Sequence, residues 1–182
     1  MNRRDALSLT AITLGGAIVG SEMFLTGCTS DKKSVPAEGN NTRLLDEIGE
    51  TILPETPGSP GARAAGIGEF MLTIVNDCYS PEEQEIFFDG MKKLDNVAQQ
   101  QYSNGFVSLT ADEKHQLLTA IDQEAGEHQE NAPTHYFSMM KQLTVWGYFT
   151  SEPGCTQALR YNPVPGRYEG CVPYSKGDKA WA

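Results

Sequence analysis

Residues 80–97 read SPEEQEIFFDGMKKLDNV, and this stretch decides the fold class. Ser80 and Glu83 have the spacing of a capping box, in which each side chain accepts a hydrogen bond from the other residue's backbone N–H. Pro81 suits the first helical position, because the N–H that proline lacks would have no partner there. Beyond this start, apolar side chains recur every three or four residues, at Ile86, Phe87, Met91, Leu94 and Val97. The stretch therefore predicts a capped amphipathic helix.

Four further stretches have the same helical period. Their predicted caps or first residues are Thr42, Glu69, Thr110 and about Thr134. Pro54 ends the first of these helices, and residues 54–68 are predicted to be a Pro/Gly-rich loop of low local order. No alternating run long enough to indicate a strand occurs between them. Together these patterns predict an all-α, single-domain bundle of about five helices over residues 42–182.

The C-terminal segment, residues 147–182, departs from this pattern and reads GYFTSEPGCTQALRYNPVPGRYEGCVPYSKGDKAWA. Its Gly and Pro content predicts a long irregular segment, while its aromatic content argues against disorder. Tyr, Trp and Arg are also the residue types that concentrate in protein interfaces. The candidate partner-interface residues are Tyr148, Phe149, Arg160, Tyr161, Arg167, Tyr168 and Trp181. The alternative, compatible with the first, is a tail that covers the chain's own helices.

The N-terminal segment, residues 1–27, is predicted to be an export signal. Arg3 and Arg4 precede a short, mildly apolar core that starts at Leu7. This core is too short for a spanning helix, which needs about 20 apolar residues. The arginine pair and Leu7 resemble the twin-arginine signal, although Ala6 stands where a large apolar residue is usual. An ordinary secretory signal with two arginines is the alternative.

Leu25-Thr26-Gly27-Cys28 resembles the lipobox of bacterial lipoproteins. Cleavage before Cys28 would leave that thiol as the acylated N-terminus, and the acyl chains would hold the protein on a membrane. We therefore expect a periplasmic, lipid-anchored protein, with residues 28–41 as a flexible tether. Thr29 after the cysteine favours, by analogy with enteric bacteria, the outer membrane. A plain signal peptide with a coincidental cysteine is the alternative.

Three cysteines remain after Cys28, namely Cys78, Cys155 and Cys171. In an exported protein they can oxidise, and an odd number leaves one thiol unpaired. A Cys155–Cys171 bridge would close a short loop and contribute about 3 kcal/mol by the chain-entropy model. A Cys78–Cys171 bridge is the other candidate, and three reduced thiols are the third possibility.

Composition and motifs argue against several functional classes. The net charge of −10 argues against a nucleic-acid partner, since phosphate binding requires a basic face. His115, His128 and His135 lack metal-ligand spacing and are expected to be solvated. The sequence contains no CxxC, GxGxxG or GxSxG motif. We therefore expect no catalytic residue, cofactor site or metal site in this chain. A stand-alone binding lipoprotein that captures a ligand with its aromatic C-terminal segment is then one hypothesis.

Four stretches resemble the gluconate 2-dehydrogenase small-subunit family (subunit 3). They read LLDEIGETILPETPGSPGARAAGIGEFM (44–71), VNDCYSPEEQ (75–84), GFVSLTADEK (105–114) and LTVWGYFTSEPGCTQALRYNPVPGRYEGC (143–171). The resemblance covers roughly residues 42–182. It implies a non-catalytic partner of a large flavoprotein of the glucose–methanol–choline type. That subunit would oxidise a sugar or sugar acid with FAD and pass electrons to a cytochrome c or a quinone.

This resemblance gives the N-terminal signals a common purpose. A flavoprotein must load FAD in the cytoplasm, so it must cross the membrane folded, which the twin-arginine route permits. The small subunit would carry the export signal for both chains. Its lipidated Cys28 would then hold the complex near its electron acceptor.

Overall fold

The computed structural model describes residues 39–128, 133–164, 166–167 and 170–181. Its α-helices are α1 (Gly39–Ile52), α2 (Ile67–Cys78), α3 (Pro81–Tyr102), α4 (Ala111–Gly126) and α5 (Tyr136–Thr150). Short 3₁₀ turns occupy Ala62–Ala65 and Phe106–Ser108, and a π-helical turn follows α5 at Gly154–Ala158. The predicted all-α bundle is confirmed. The predicted export signal and the lipobox cysteine, with Arg3, Arg4, Leu7 and Cys28, lie outside the described residues.

Both predicted capping boxes are present. Ser80 Oγ accepts a hydrogen bond from the Glu83 N–H at 3.3 Å, and Glu83 Oε2 accepts one from the Ser80 N–H at 2.9 Å. Thr110 and Glu113 make the same reciprocal pair at the start of α4, with distances of 3.4 and 2.8 Å. Helix α1 begins at Gly39 rather than at Thr42, so the last residues of the predicted tether are helical.

Helix α5 lies at the centre of the bundle and packs against each of the other four helices. Most of its length is buried, through Tyr136, Phe137, Met139, Met140, Leu143, Thr144, Gly147 and Tyr148. Its approach to α3 is close enough that a Cβ atom at Gly90 would overlap the Tyr136 side chain. Gly147 has the same role against Phe70 of α2. Glycine at both positions therefore allows the helices to meet.

The loop between α1 and α2 has a defined structure, so the prediction of low local order was wrong. Both carboxylate oxygens of Glu50 accept loop N–H groups, from Glu55 at 3.0 Å and from Arg63 at 2.9 Å. Ala62 is fully buried. Thr56 and Ser59 form a tight turn with two backbone hydrogen bonds. Local Pro and Gly content did not reveal this order because the ordering group lies on the preceding helix.

Candidate docking surface

Seven large apolar side chains of the described residues are exposed, and they form two groups along the chain. Val145 and Trp146 are neighbours on the outer side of α5. The other five follow the π-helical turn, and they are Tyr161, Val164, Val172, Tyr174 and Trp181. Stretches of the chain with several exposed apolar side chains are candidates for interaction surfaces. The second group lies on residues 160–181, which we call the arm.

The two ends of the arm are joined to each other. The Arg160 N–H donates to the Ala180 carbonyl oxygen at 2.7 Å. The Arg160 guanidinium also lies 4.7 Å from the ring centroid of Trp181, within cation–π range. Next to this pair, the Lys179 ammonium donates to the carbonyl oxygen of Gln157, which attaches the base of the arm to the helical body.

Within the arm, the clearest local structure is a tight turn at residues 175–178. The Asp178 N–H donates to the Ser175 carbonyl oxygen at 3.0 Å, and the Asp178 carboxylate accepts from the Ser175 N–H at 2.9 Å. Gly177 has a φ of 100°, a conformation that residues with a side chain rarely adopt. The described residues from 170 to 181 are all exposed. The segment therefore has a shape of its own but does not contribute to the core of the bundle.

The predicted interface residues differ in their exposure. Arg160, Tyr161, Arg167 and Trp181 are exposed on the arm, and Tyr168 lies outside the described residues. Phe149 is half-buried beneath the π-helical turn.

Tyr148 is wrongly predicted as a surface residue, because it is only 2% exposed. Its hydroxyl donates to the Pro60 carbonyl oxygen and lies 2.6 Å from Ser59 Oγ, which ties α5 to the loop after α1. Val164, Val172 and Tyr174 are exposed on the arm but were not selected from the sequence. The signal that could have found them is their position among Pro and Gly residues, where no helical partner face is available.

The three cysteines are free thiols in the structure. Cys78 and Cys171 are exposed, while the half-buried Cys155 thiol donates to the Phe149 carbonyl oxygen at 3.1 Å. The structure thus contains neither the Cys155–Cys171 nor the Cys78–Cys171 bridge. A disulfide at either pair stays a prediction for the oxidised protein.

An open groove of about 610 Å³ runs between α4 and α5. Trp146 and Val145 form its apolar side, and the ion pair of Lys141 with Asp122, at 2.7 Å, forms its polar side. Trp146 packs its ring edge-on against Phe70, with ring centroids 5.4 Å apart. The groove is shallow and mixed in character, so it adds a second exposed surface to the body rather than an enclosed site.

His135 is buried at the start of α5, and the expectation that it is solvated was wrong. Its Nδ1 accepts the Phe137 N–H at 3.3 Å, which places any proton of the neutral ring on Nε2. Nε2 has no hydrogen-bond partner among the described residues, and the nearest carboxylate oxygen, Oε1 of Glu124, is 3.8 Å away. Burial lowers the pKa of His135 despite the attraction of Glu124. The ring is therefore a neutral helix cap.

The surroundings of Glu124 and Tyr136, next to His135, also shift the pKa values of these two side chains. A hydrogen bond from Lys93, at 2.8 Å, lowers the pKa of the Glu124 carboxyl. Burial raises the pKa of the Tyr136 hydroxyl to about 12, so this group stays protonated.

In the described ranges, no three His, Cys, Asp or Glu side chains are placed to hold a metal ion. Among the same residues, no helix has the length and apolar character needed to cross a membrane.

Comparison with known proteins identifies a family. A sequence model of the family described as gluconate 2-dehydrogenase subunit 3 matches residues 40–166. The match spans α1 to α5 and ends inside the arm, so residues 167–181 lie beyond it. No curated protein and no solved structure is significantly similar to this chain.

Proposed function

This chain belongs to the gluconate 2-dehydrogenase subunit 3 family, and from this premise we propose that it is the non-catalytic accessory subunit of a membrane-associated dehydrogenase complex. Its partner is a catalytic subunit of the glucose–methanol–choline type, which carries FAD and oxidises a sugar or sugar acid. A cytochrome c is the candidate electron acceptor. The family match across the whole helical body is the observation that carries this proposal.

The surface of the chain supports an accessory role. The described residues expose two apolar groups, on α5 and on the arm, and an accessory subunit needs such surfaces for its partner. The buried His135 acts as a helix cap, and the Tyr136 hydroxyl is held protonated. Neither group is in a position to act on a substrate from bulk solvent.

The arginine pair and the lipobox cysteine of the N-terminal segment support a periplasmic location for the proposed complex. Arg3 and Arg4 would direct twin-arginine export of this chain together with its folded, FAD-loaded partner. Cys28 would carry the lipid that holds the complex at the membrane, with the outer membrane slightly favoured. The accessory subunit would thus supply export, stability and membrane attachment to the flavoprotein.

The proposed function is tested by co-expressing the chain with the flavoprotein subunit and isolating each separately and together. We expect the complex to contain FAD and to oxidise its sugar substrate, and the isolated chain to show neither flavin absorbance nor activity. Stoichiometric FAD on the isolated chain would contradict the proposal.

Export is tested with the double variant Arg3→Lys/Arg4→Lys. We expect both subunits to stay in the cytoplasm, because the twin-arginine pathway requires the arginine pair. Cys28→Ser serves as the comparison, since it should leave export intact and remove labelling by palmitate. Dehydrogenase activity that persists in the periplasm of the arginine variant would contradict the export role.

A further inference from the structure

We propose that Asn104, in the turn that follows α3, is a site of spontaneous deamidation, in which the backbone nitrogen of Gly105 displaces the side-chain amide. The product is an aspartyl or isoaspartyl residue at position 104, formed without an enzyme. This inference is independent of the proposed function, because it depends only on residues of this chain and on water.

The reaction joins two neighbouring groups of the chain. The Gly105 nitrogen loses its proton to hydroxide and attacks the side-chain carbonyl carbon, Cγ, of Asn104. The new C–N bond closes a succinimide ring, and the side-chain nitrogen takes up a proton from water and leaves as ammonia. Water then opens the ring at either of its two carbonyl carbons. One opening gives aspartate, and the other gives isoaspartate, in which the backbone runs through the former side chain.

The glycine after the asparagine makes this attack sterically possible. Asn104 is the one asparagine of the sequence that glycine follows. Because Gly105 has no Cβ atom, its nitrogen is less covered and its backbone can adopt conformations that other residues rarely reach. Asn162 gives the opposite case, since Pro163 follows it and has no N–H to lose. The sequence therefore singles out position 104.

The turn leaves both reacting groups accessible. Asn104 is exposed, and the hydrogen bond that its Nδ2 donates to the Tyr102 carbonyl oxygen is long, at 3.4 Å. The Gly105 N–H donates no hydrogen bond to any residue in the described part of the chain. An amide N–H without a partner is the kind that loses its proton most readily. Asn96 differs, because it lies inside α3, where the N–H of the next residue is an intrahelical donor.

The residues on either side of the pair are anchored to α3, so isoaspartate would disturb the structure. The Ser103 N–H donates to the Gln99 carbonyl oxygen at 3.0 Å. The Phe106 N–H donates to Asp95 Oδ1 at 2.8 Å, and Phe106 is fully buried. Isoaspartate adds one carbon atom to the backbone between these two anchors. We therefore expect it to lengthen or break the hydrogen bond of Phe106 with Asp95 and to destabilise the chain.

The test follows the purified full chain during prolonged incubation at mildly alkaline pH, both folded and unfolded in urea. Peptide mapping by mass spectrometry, with electron-transfer fragmentation to identify isoaspartate, gives the fraction of acid at each asparagine. In the folded chain we expect position 104 to convert at least several times faster than Asn96 and to give both products. The rate should increase with hydroxide concentration, because the attacking nitrogen must first lose its proton.

Two variants separate the ring mechanism from other causes. Asn104→Gln keeps an exposed amide but would need a ring one atom larger, so conversion at this position should fall to the level of Asn96. Freshly purified Asn104→Asp has the new charge on an unaltered backbone, so it shows what the charge alone does to thermal unfolding. The isoaspartate-containing fraction, separated by chromatography, should unfold a few degrees below Asn104→Asp.

Each outcome supports or overturns the proposal. Conversion at position 104 that is no faster than at Asn96, or that occurs only in urea, would show that the folded turn does not permit the attack. Equal conversion in Asn104→Gln, or aspartate without isoaspartate, would exclude the succinimide route. If the isoaspartate fraction unfolds at the same temperature as Asn104→Asp, the anchors on either side of the turn do not have the structural role assigned to them.

Discussion

The helical body and the arm contain similar apolar residue types but place them oppositely. Phe87, Leu94 and Ile48 of the body are fully buried, whereas Tyr174 and Val164 of the arm are more than three-quarters exposed. In the body, apolar residues recur at helical spacing, so each helix presents one face that another helix can cover. In the arm, Pro and Gly interrupt that spacing, so its apolar side chains share no common face. The difference shows that periodicity, more than composition, decides what is buried.

The contrast also separates the two regions by their contribution to folding. The body should have nearly all of the stability of the isolated chain, since stability follows from buried packing. Changes in the arm should be almost neutral for folding. The following predictions test this separation from its largest expected effect to its smallest.

Replacement of a fully buried side chain should have the largest effect. Phe87→Ala should lower the free energy of unfolding by about 3–5 kcal/mol, because it removes buried area and leaves a cavity between helices. Urea unfolding followed by circular dichroism measures this. A loss below about 1 kcal/mol would show that the core around α3 is not packed as described.

Filling the close contact of α3 with α5 should have the next largest effect. Gly90→Ala adds a Cβ atom that overlaps Tyr136, so the helices must move apart or the ring must shift. We expect a loss of about 1–3 kcal/mol in the same unfolding measurement. Gly126→Ala is the matched control, because a Cβ atom there meets no neighbour. Equal effects at the two positions would contradict the close approach.

Loss of either capping box should have an intermediate effect. Ser80→Ala and Thr110→Ala each remove a side-chain acceptor from a helix start and should each cost about 1 kcal/mol. Ser80→Asp keeps an acceptor and should restore most of that loss. If Ser80→Ala unfolds at the wild-type denaturant concentration, the box does not stabilise α3.

The capping boxes were also the features most open to prediction from sequence, since their partners lie three residues apart. Both starts, at Ser80 and Thr110, were placed correctly for this reason. The burial of Tyr148 could not be read locally, because its hydroxyl partners, Ser59 and Pro60, lie almost ninety residues earlier in the chain. His135 was missed likewise, since its burial depends on tertiary packing against α4 and on the neighbouring Tyr136.

The arm illustrates the same limit. Its irregular course follows from its Pro and Gly content and was predicted. The pairing of Arg160 with Trp181 at its base was not, because nothing in either residue's local sequence specifies the other. The Pro and Gly residues around Val172 and Tyr174 indicate that these side chains lack a helical partner face, but only the structure shows that the body is packed without them.

A pH-dependent loss of stability is expected from His135. Burial lowers its pKa below the ordinary value of 6.5, so the unfolded chain takes up a proton before the folded chain does. The free energy of unfolding should therefore decrease as the pH falls below about 6.5, and it should not depend on this group above that range. His135→Asn retains a capping acceptor without a titrating ring. The difference in unfolding free energy between wild type and variant should stay constant above about pH 6.5 and change as the pH falls below that value; a difference that is the same in both ranges would contradict the assignment.

The smallest effect on folding is expected in the arm. Tyr174→Ala should change the free energy of unfolding of the isolated chain by less than about 0.5 kcal/mol, because the side chain is exposed. Trp181→Ala removes the stacking partner of Arg160 and should cost no more than about 1 kcal/mol. Destabilisation by Tyr174→Ala as large as that of a core variant would remove the distinction between arm and body.

Hydrogen–deuterium exchange of the chain, free and in complex with the proposed flavoprotein partner, tests the separation of body and arm most directly. In the free chain we expect slow exchange in α3 and α5 and fast exchange across residues 170–179, where few backbone N–H groups are bonded. On complex formation, exchange should slow further at an exposed apolar group, on the arm or on α5, while α3 stays unchanged. Slow exchange across residues 170–179 of the free chain, or fast exchange in α3, would contradict the account.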